Sequence, residues 1–163
     1  MKDSFLTKII EAKKKEVKAQ KERLSQDKII EMLRSLSPDG SLKNHSPSKR
    51  LFAQAINVPG EISLVAEVKK SSPSKGVLRK DFDPVGIAKD YQSAGASAVS
   101  VLTDEQFFSG HNAFIGRVKQ AVHLPVLRKD FIIDEYQIYQ SALIEADCIL
   151  LIADILEEKD ISG

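Results

Sequence analysis

The stretch ISLVAEVKKSSPSKGVLRKDFDPVGIAKDYQSAGASAVSVL, residues 62–102, decides the fold class. It opens on a nearly unbroken apolar run, ISLVAEV (62–68), and closes on a second, SAVSVL (97–102). Continuous rather than alternating hydrophobicity predicts strands buried on both faces, the habit of parallel sheets. The segment between them carries helix punctuation. Asp83 is placed to cap a helix start, Pro84 to take the first helical position and Gly95 to end it, with Val85, Ala88 and Tyr91 along one face. A strand, a helix and a strand at this spacing predict a βαβ unit with a right-handed crossover.

Working outward toward the C-terminus, the pattern repeats. Phe114, Ile115, Val118 and Val122 form a helical stripe, and LPVLR (124–128) reads as a third strand. Tyr136, Tyr139, Leu143 and Ala146 line the next helix behind Asp134, and CILLIA (148–153) reads as a fourth strand. The last segment, EEKDISG (157–163), reads as the first turn of another helix. Working outward toward the N-terminus, residues 1–57 read as mainly helical. Leu6, Ile9 and Ile10 supply a short apolar stripe ahead of a polar run with Lys13, Lys14, Lys15, Lys18 and Lys21. A second helix is predicted from Asp27 to Leu36, burying Ile29, Ile30, Met32 and Leu33. Residues 37–48 read as a loop rich in Ser, Pro, Gly and Asn. A third short helix, SKRLFAQAIN, ends before Pro59 and Gly60. The expected organisation is a helical extension over 1–60 followed by an α/β region over 61–163.

Two architectures share this alternation, an open doubly wound sheet and a closed (βα) barrel, and pattern alone does not separate them. The first strand-to-helix loop, KSSPSKG, lacks the GxGxxG fingerprint of dinucleotide-binding open sheets, which tilts the reading toward the barrel. A closed barrel takes about 250 residues and eight strands. The strands predicted here amount to its first half.

Composition narrows the function classes. The chain has 163 residues, 42% hydrophobic and 29% charged, which suits a globular domain with a core and not a disordered chain. Its 24 Lys+Arg against 23 Asp+Glu give a formal charge of +1, so no global charge draws it to nucleic acid or membrane. No apolar run approaches the roughly 20 residues that span a bilayer, and the N-terminus lacks a signal-peptide pattern. The lone Cys148 fits a reducing compartment, and the expected location is the cytoplasm. His45, His111 and His123 are scattered without metal-ligand spacing.

The densest chemistry lies in AEVKKSSPSKG (66–76), at the end of the first strand. Glu67 and Lys69 are two residues apart and so share one face of the strand. A carboxylate and an ammonium turned into a barrel are costly unless paired or put to use. The plainer reading, a solvated strand end with a lysine run, weighs about evenly on composition. In LRKDFII (127–133), Leu127, Lys129 and Phe131 share one face and Arg128 and Asp130 the other. An inward Lys129 would stand at the C-terminal rim where barrel active sites lie, as a general acid or a Schiff-base amine. The plainer alternative is a lysine paired with a surface carboxylate. In LTDEQFFSG (102–110), Phe107 and Phe108 could wall an aromatic pocket or cap the rim.

These three motifs, in this order and spacing, resemble indole-3-glycerol phosphate synthase, and the resemblance runs over essentially the whole chain. It implies a TIM-type (βα)8 barrel family of which the first four strands are present, preceded by the helical extension. It implies a lyase of tryptophan biosynthesis with no metal or cofactor. That enzyme converts 1-(2-carboxyphenylamino)-1-deoxyribulose 5-phosphate to indole-3-glycerol phosphate, with release of carbon dioxide and water. Carried over to this chain, Lys129 is the acid of ring closure. Lys69 holds the substrate carboxylate and acts in the later dehydration, and Glu67 orients the two ammonium groups. Ser72, Pro73, Phe108, Phe131 and Leu150 are the implied substrate-binding positions. The family's second glutamate, on the fifth strand, its asparagine on the sixth and its phosphate loops after the seventh and eighth have no counterpart here. The chain is therefore expected to be inactive alone. The alternatives are a half-barrel that self-associates or pairs with a missing half, and a phospho-sugar aldolase forming an imine at Lys129.

Overall fold

A computed structural model describes residues 5–37, 39–42 and 50–156. They fall into two compact units, each with its own core.

One unit contains residues 1–46, 131–143 and 150–163. Its described elements are helices α1 (Phe5–Arg23), α2 (Gln26–Leu36) and the later α7 (Glu135–Leu143), with a 3-10 turn at Ala153–Ile155. Ser25 caps α2, its hydroxyl accepting from the Lys28 N–H. Val17, Ile29, Leu33 and Tyr136 form the buried centre, with Leu24, Leu42, Tyr139, Ala142 and Leu143 packed around it. The expected inner face of α2 is corrected in part: Ile29 and Leu33 are buried, but Met32 is exposed. With 3.6 residues per turn, the four-residue step from 29 to 33 holds the inner face and 32 rotates out of it. Asp134 sits at the start of α7, where its carboxylate accepts from the Tyr136 N–H at 2.9 Å and pairs with Lys21 at 2.8 Å. The expected loop over 37–48 lies mostly outside the described residues, as does the helical turn expected over 157–163.

The other unit contains residues 47–130 and 144–149. After helix α3 (Phe52–Ile56), the parallel strands β1 (Val65–Val68), β4 (Ala98–Leu102), β5 (Val126–Lys129) and β6 (Cys148–Ile149) pair in the order β1-β4-β5-β6. Helix α4 (Pro84–Ser93) joins β1 to β4, and α6 (Ala113–Ala121) joins β4 to β5. Two further pieces were not expected from sequence: an antiparallel hairpin, β2 (Ser71–Ser72) with β3 (Gly76–Val77), and a four-residue helix α5 (Glu105–Phe108). Both lie in loops that follow strands.

The expected helix punctuation is observed. The Asp83 side chain accepts from the Val85 N–H at 3.0 Å, Pro84 opens α4, and Gly95 takes φ +86° just past its end. A cap of this kind contributes about 1 kcal/mol. Burial on both faces holds fully only for β4, all five residues of which are buried. In β1 and β5 burial alternates, with Ala66, Val68, Val126 and Arg128 buried and Glu67, Leu127 and Lys129 half-buried. The strands are also shorter than the apolar runs suggested, because pairing and not hydrophobicity sets their ends. Val68, Val99, Val101 and Val126 meet Ile87, Ala88, Ile115, Val118 and Val122 in the core between sheet and helices.

A buried ionic knot ties this unit together at the strand starts. Lys119 of α6 pairs with Asp147, and both side chains are almost fully enclosed. The Asp147 carboxylate also accepts from the Val126 N–H at 2.9 Å and the Arg50 N–H at 2.6 Å. The Arg50 guanidinium donates to the carbonyls of Leu124 at 2.6 Å and Lys119 at 2.9 Å. Removing one partner of such a pair leaves the other charge buried and uncompensated. Asp147→Ala is accordingly expected to lower unfolding free energy by about 3–5 kcal/mol in urea titrations.

Candidate functional site

Side chains on alternate positions of a strand point to opposite faces. In β1 this sends Ala66 and Val68 into the core between sheet and helices and leaves Glu67 on the other face. In β5 it sends Val126 inward and brings Leu127 and Lys129 to the face of Glu67. The ladder sets their heights: Glu67 is in register with Ser100, Ser100 with Leu127, and Leu102 with Lys129. Lys129 thus stands two residues further toward the C-terminal strand ends than the level of Glu67. A long lysine stem can span that offset.

It does so. Lys129 Nζ donates to Glu67 Oε2 at 3.1 Å, and Lys69 Nζ donates to the other oxygen, Oε1. One carboxylate therefore binds two ammonium groups, each through its own oxygen. The three side chains are about one-third exposed, open enough for a ligand to reach. Two ammonium groups against one carboxylate leave a formal surplus of one positive charge in the cluster. Tyr91 of α4 fixes the backbone here as well, its hydroxyl donating to the Glu67 carbonyl at 3.1 Å.

Burial by itself would raise the Glu67 carboxyl. The hydrogen bonds from Lys69 and Lys129, with their charges, outweigh it and hold the group below its ordinary value of 4.5. The remaining candidates flank this cluster or lie in the other unit. Ser72 and Pro73 are on the hairpin that follows β1, where the Ser72 hydroxyl accepts from the Lys75 N–H at 3.3 Å. Phe108 ends α5 and is half-buried. Phe131 and Leu150 belong to the helical unit and are half-buried there, the Phe131 carbonyl accepting from Gln137 Nε2 at 2.9 Å.

Sequence reading passed over what shapes the loops. The buried Ser71 hydroxyl donates to Ser109 Oγ at 2.9 Å, linking the hairpin after β1 to the loop after β4. Asp104 caps α5 through the Phe107 N–H at 2.8 Å, and Ser109 turns the chain back with φ +51°. Gly110 then passes so close to β4 that an added Cβ would lie 2.4 Å from the Leu102 carbonyl oxygen. Glycine at 110 was a visible signal for this close approach. The serine pair had none, since serines in loops are common. Among the described residues, no group of three or more His, Cys, Asp or Glu side chains could hold a metal ion, and no helix is long and apolar enough to cross a membrane.

The paired cluster makes a pH prediction. A carboxyl held low in the folded chain contributes stability that is fully present above its unfolded pKa and is lost as pH falls through the folded one. Carbon-13 NMR of the Glu67 carboxyl is expected to show a midpoint below 4.5. Lys129→Ala is expected to move that midpoint upward, because one hydrogen bond and one charge are gone.

Comparison with known proteins bears on the whole chain. A family model described as indole-3-glycerol phosphate synthase matches residues 6–162. A protein of Lachnoclostridium phytofermentans, named indole-3-glycerol phosphate synthase, is 44% identical over 162 residues, covering 98% of this chain and 59% of its own length. A Chlorobium phaeovibrioides protein of the same name is 48% identical over 158 residues, covering 96% of this chain and 57% of its own length. One from Geobacillus thermodenitrificans is 58% identical over 114 residues, covering 69% and 44%. The chain spans about half the length of these curated relatives. Its parallel α/β sheet fits a TIM-barrel family, and with a match running almost from end to end, the chain belongs to the indole-3-glycerol phosphate synthase family.

Proposed function

We propose that this chain contributes the acid-bearing half of an indole-3-glycerol phosphate synthase site in tryptophan biosynthesis. The observation that carries the reading is the Glu67 carboxylate held by both Lys69 and Lys129 on one face of the sheet. The substrate, 1-(2-carboxyphenylamino)-1-deoxyribulose 5-phosphate, is an anion, and the surplus positive charge of the cluster suits its carboxylate. Ring closure needs a proton delivered to the ribulose carbonyl oxygen as the aromatic carbon attacks it, and Lys129 is the donor in this reading. Loss of carbon dioxide then restores the aromatic ring, leaving a hydroxyl to depart as water. Lys69, which holds the carboxylate beforehand, donates the proton for that departure.

Glu67 keeps both ammonium groups aimed and stabilises positive charge developing in the ring system. Ser72, Pro73, Phe108, Phe131 and Leu150 are the residues assigned to the substrate's rings and chain. The chemistry assigned to the cluster is proton transfer and charge stabilisation, which uses no metal or cofactor. The phosphate grip and a second acid/base group are assigned to segments that correspond to the remainder of the relatives' length, so the chain alone is expected to be inactive.

The test is to complete the chain with the C-terminal portion of the Geobacillus thermodenitrificans relative, fused or supplied as a separate polypeptide. Fluorescence of indole-3-glycerol phosphate is then followed on feeding the substrate. Product is expected, and Lys129→Ala should reduce kcat by about 100- to 10,000-fold, the share typical of a positioned acid. A folded, completed protein that forms no product would sink the assignment. Borohydride trapping of an imine at Lys129 with a keto-sugar phosphate would move it to an aldolase.

A further inference from the structure

Behind the charged cluster, on the opposite face of the same strand end, stands a second polar group that is wholly buried. Arg128 and Asp130 flank Lys129 in the chain, so alternation turns both away from its face. Arg128 is 1% exposed, Asp130 3% and Thr103 2%. Arg128 Nη2 donates to Asp130 Oδ2 at 3.0 Å, and Arg128 Nε donates to Thr103 Oγ1 at 3.2 Å. The Thr103 hydroxyl donates in turn to the same Asp130 oxygen at 2.6 Å. Thr103 follows β4 directly, and its backbone N–H donates to the Lys129 carbonyl at 3.1 Å. One threonine therefore holds the lysine's own peptide group and the side chains on both sides of it.

Stability alone is a poor reason for such an arrangement. The desolvation cost of a buried Arg–Asp pair offsets much of its attraction, and apolar residues of similar volume often serve as well. Geometry is a better reason. A lysine has a flexible four-carbon stem, so the position of its ammonium is only as well defined as the backbone that carries it. Lys129 is near the end of its strand, where the β5–β6 pairing has already stopped: that ladder covers only Leu127 and Arg128. The Thr103 bonds replace the missing support on the β4 side.

We propose that Thr103, Arg128 and Asp130 are positioning residues, a buried clamp that fixes the end of β5 so that Lys129 meets Glu67. The role of the clamp in turnover rests on the lyase reading above. Its effect on the lysine does not.

The test uses two clamp variants. Arg128→Met combined with Asp130→Leu removes both members of the ion pair, and Thr103→Val removes only the hydroxyl, whereas Thr103→Ser keeps it. The readout is the carbon-13 titration of the Glu67 carboxyl in this chain, assigned with Glu67→Gln, alongside circular dichroism to establish folding. The midpoint is expected to move upward in both clamp variants as Lys129 drifts from Glu67, and to stay at the parental value in Thr103→Ser. An unchanged midpoint in either folded clamp variant overturns the proposal, however much its melting temperature falls. In the completed protein, the clamp variants should lower kcat by up to about 100-fold with little change in KM, as misplacement of a reacting group does. A completed parent without activity would count against the lyase reading, while the Glu67 midpoint would still decide the clamp.

Discussion

Parallel pairing of β4 with its two neighbours is the constraint on which the candidate site depends. It sets Glu67 level with Ser100 and Ser100 level with Leu127, and so places Lys129 within reach of a carboxylate 62 residues earlier in the chain. A slip of one residue would turn every side chain to the opposite face of the sheet. Lys129 would then point into the apolar core and Arg128 out of it. The core forbids that slip, because Val68, Val101 and Val126 fill the space against Ile87, Ile115 and Val118. Hydrophobic burial thus fixes the register, and the register fixes the chemistry.

Much of this could be read from sequence, for identifiable reasons. Helices announce their ends through single residues with single jobs, which is why Asp83, Pro84 and Gly95 are legible in the sequence. Strand identity was equally plain in the apolar runs, but strand ends were not, since a run such as CILLIA pairs over only Cys148 and Ile149. The shared face of Glu67 and Lys69 followed from a period of two. That Lys129 would meet the same carboxylate required the order and register of three strands, and no local pattern carries that information. The family resemblance supplied the connection, and the hairpin, α5 and the Ser71–Ser109 contact fell outside both kinds of argument.

The buried polar groups were the least legible. Lys119 and Arg128 are among the most enclosed side chains in their unit, yet long cations are almost always expected at the surface. The partner that neutralises Lys119 is recruited from afar, since Asp147 lies 28 residues away, whereas the carboxylate of Arg128 is the nearby Asp130 and only its hydroxyl partner, Thr103, is distant at 25 residues. In neither case does a local pattern show that the pair is buried. The two groups also sit at opposite ends of the strands, one holding the starts of β5 and β6, the other the finish of β5. Between them they tie the sheet at both ends of its strands.

Arg50 gives the lower brace a meaning for how this protein can be cut. It precedes the first strand by 15 residues, in a segment that pattern reading assigns to an extension, yet its backbone and guanidinium bind Asp147, Leu124 and Lys119. A minimal version trimmed to begin at Glu61 would keep every strand and every residue of the charged cluster. It would also uncap two carbonyls and withdraw a donor from the buried Asp147 carboxylate. For recombining parts of such proteins, a cut ahead of Arg50 keeps this brace where a cut at the first strand loses it, although either cut takes Val17, Ile29 and Leu33 from the core they share with Tyr136.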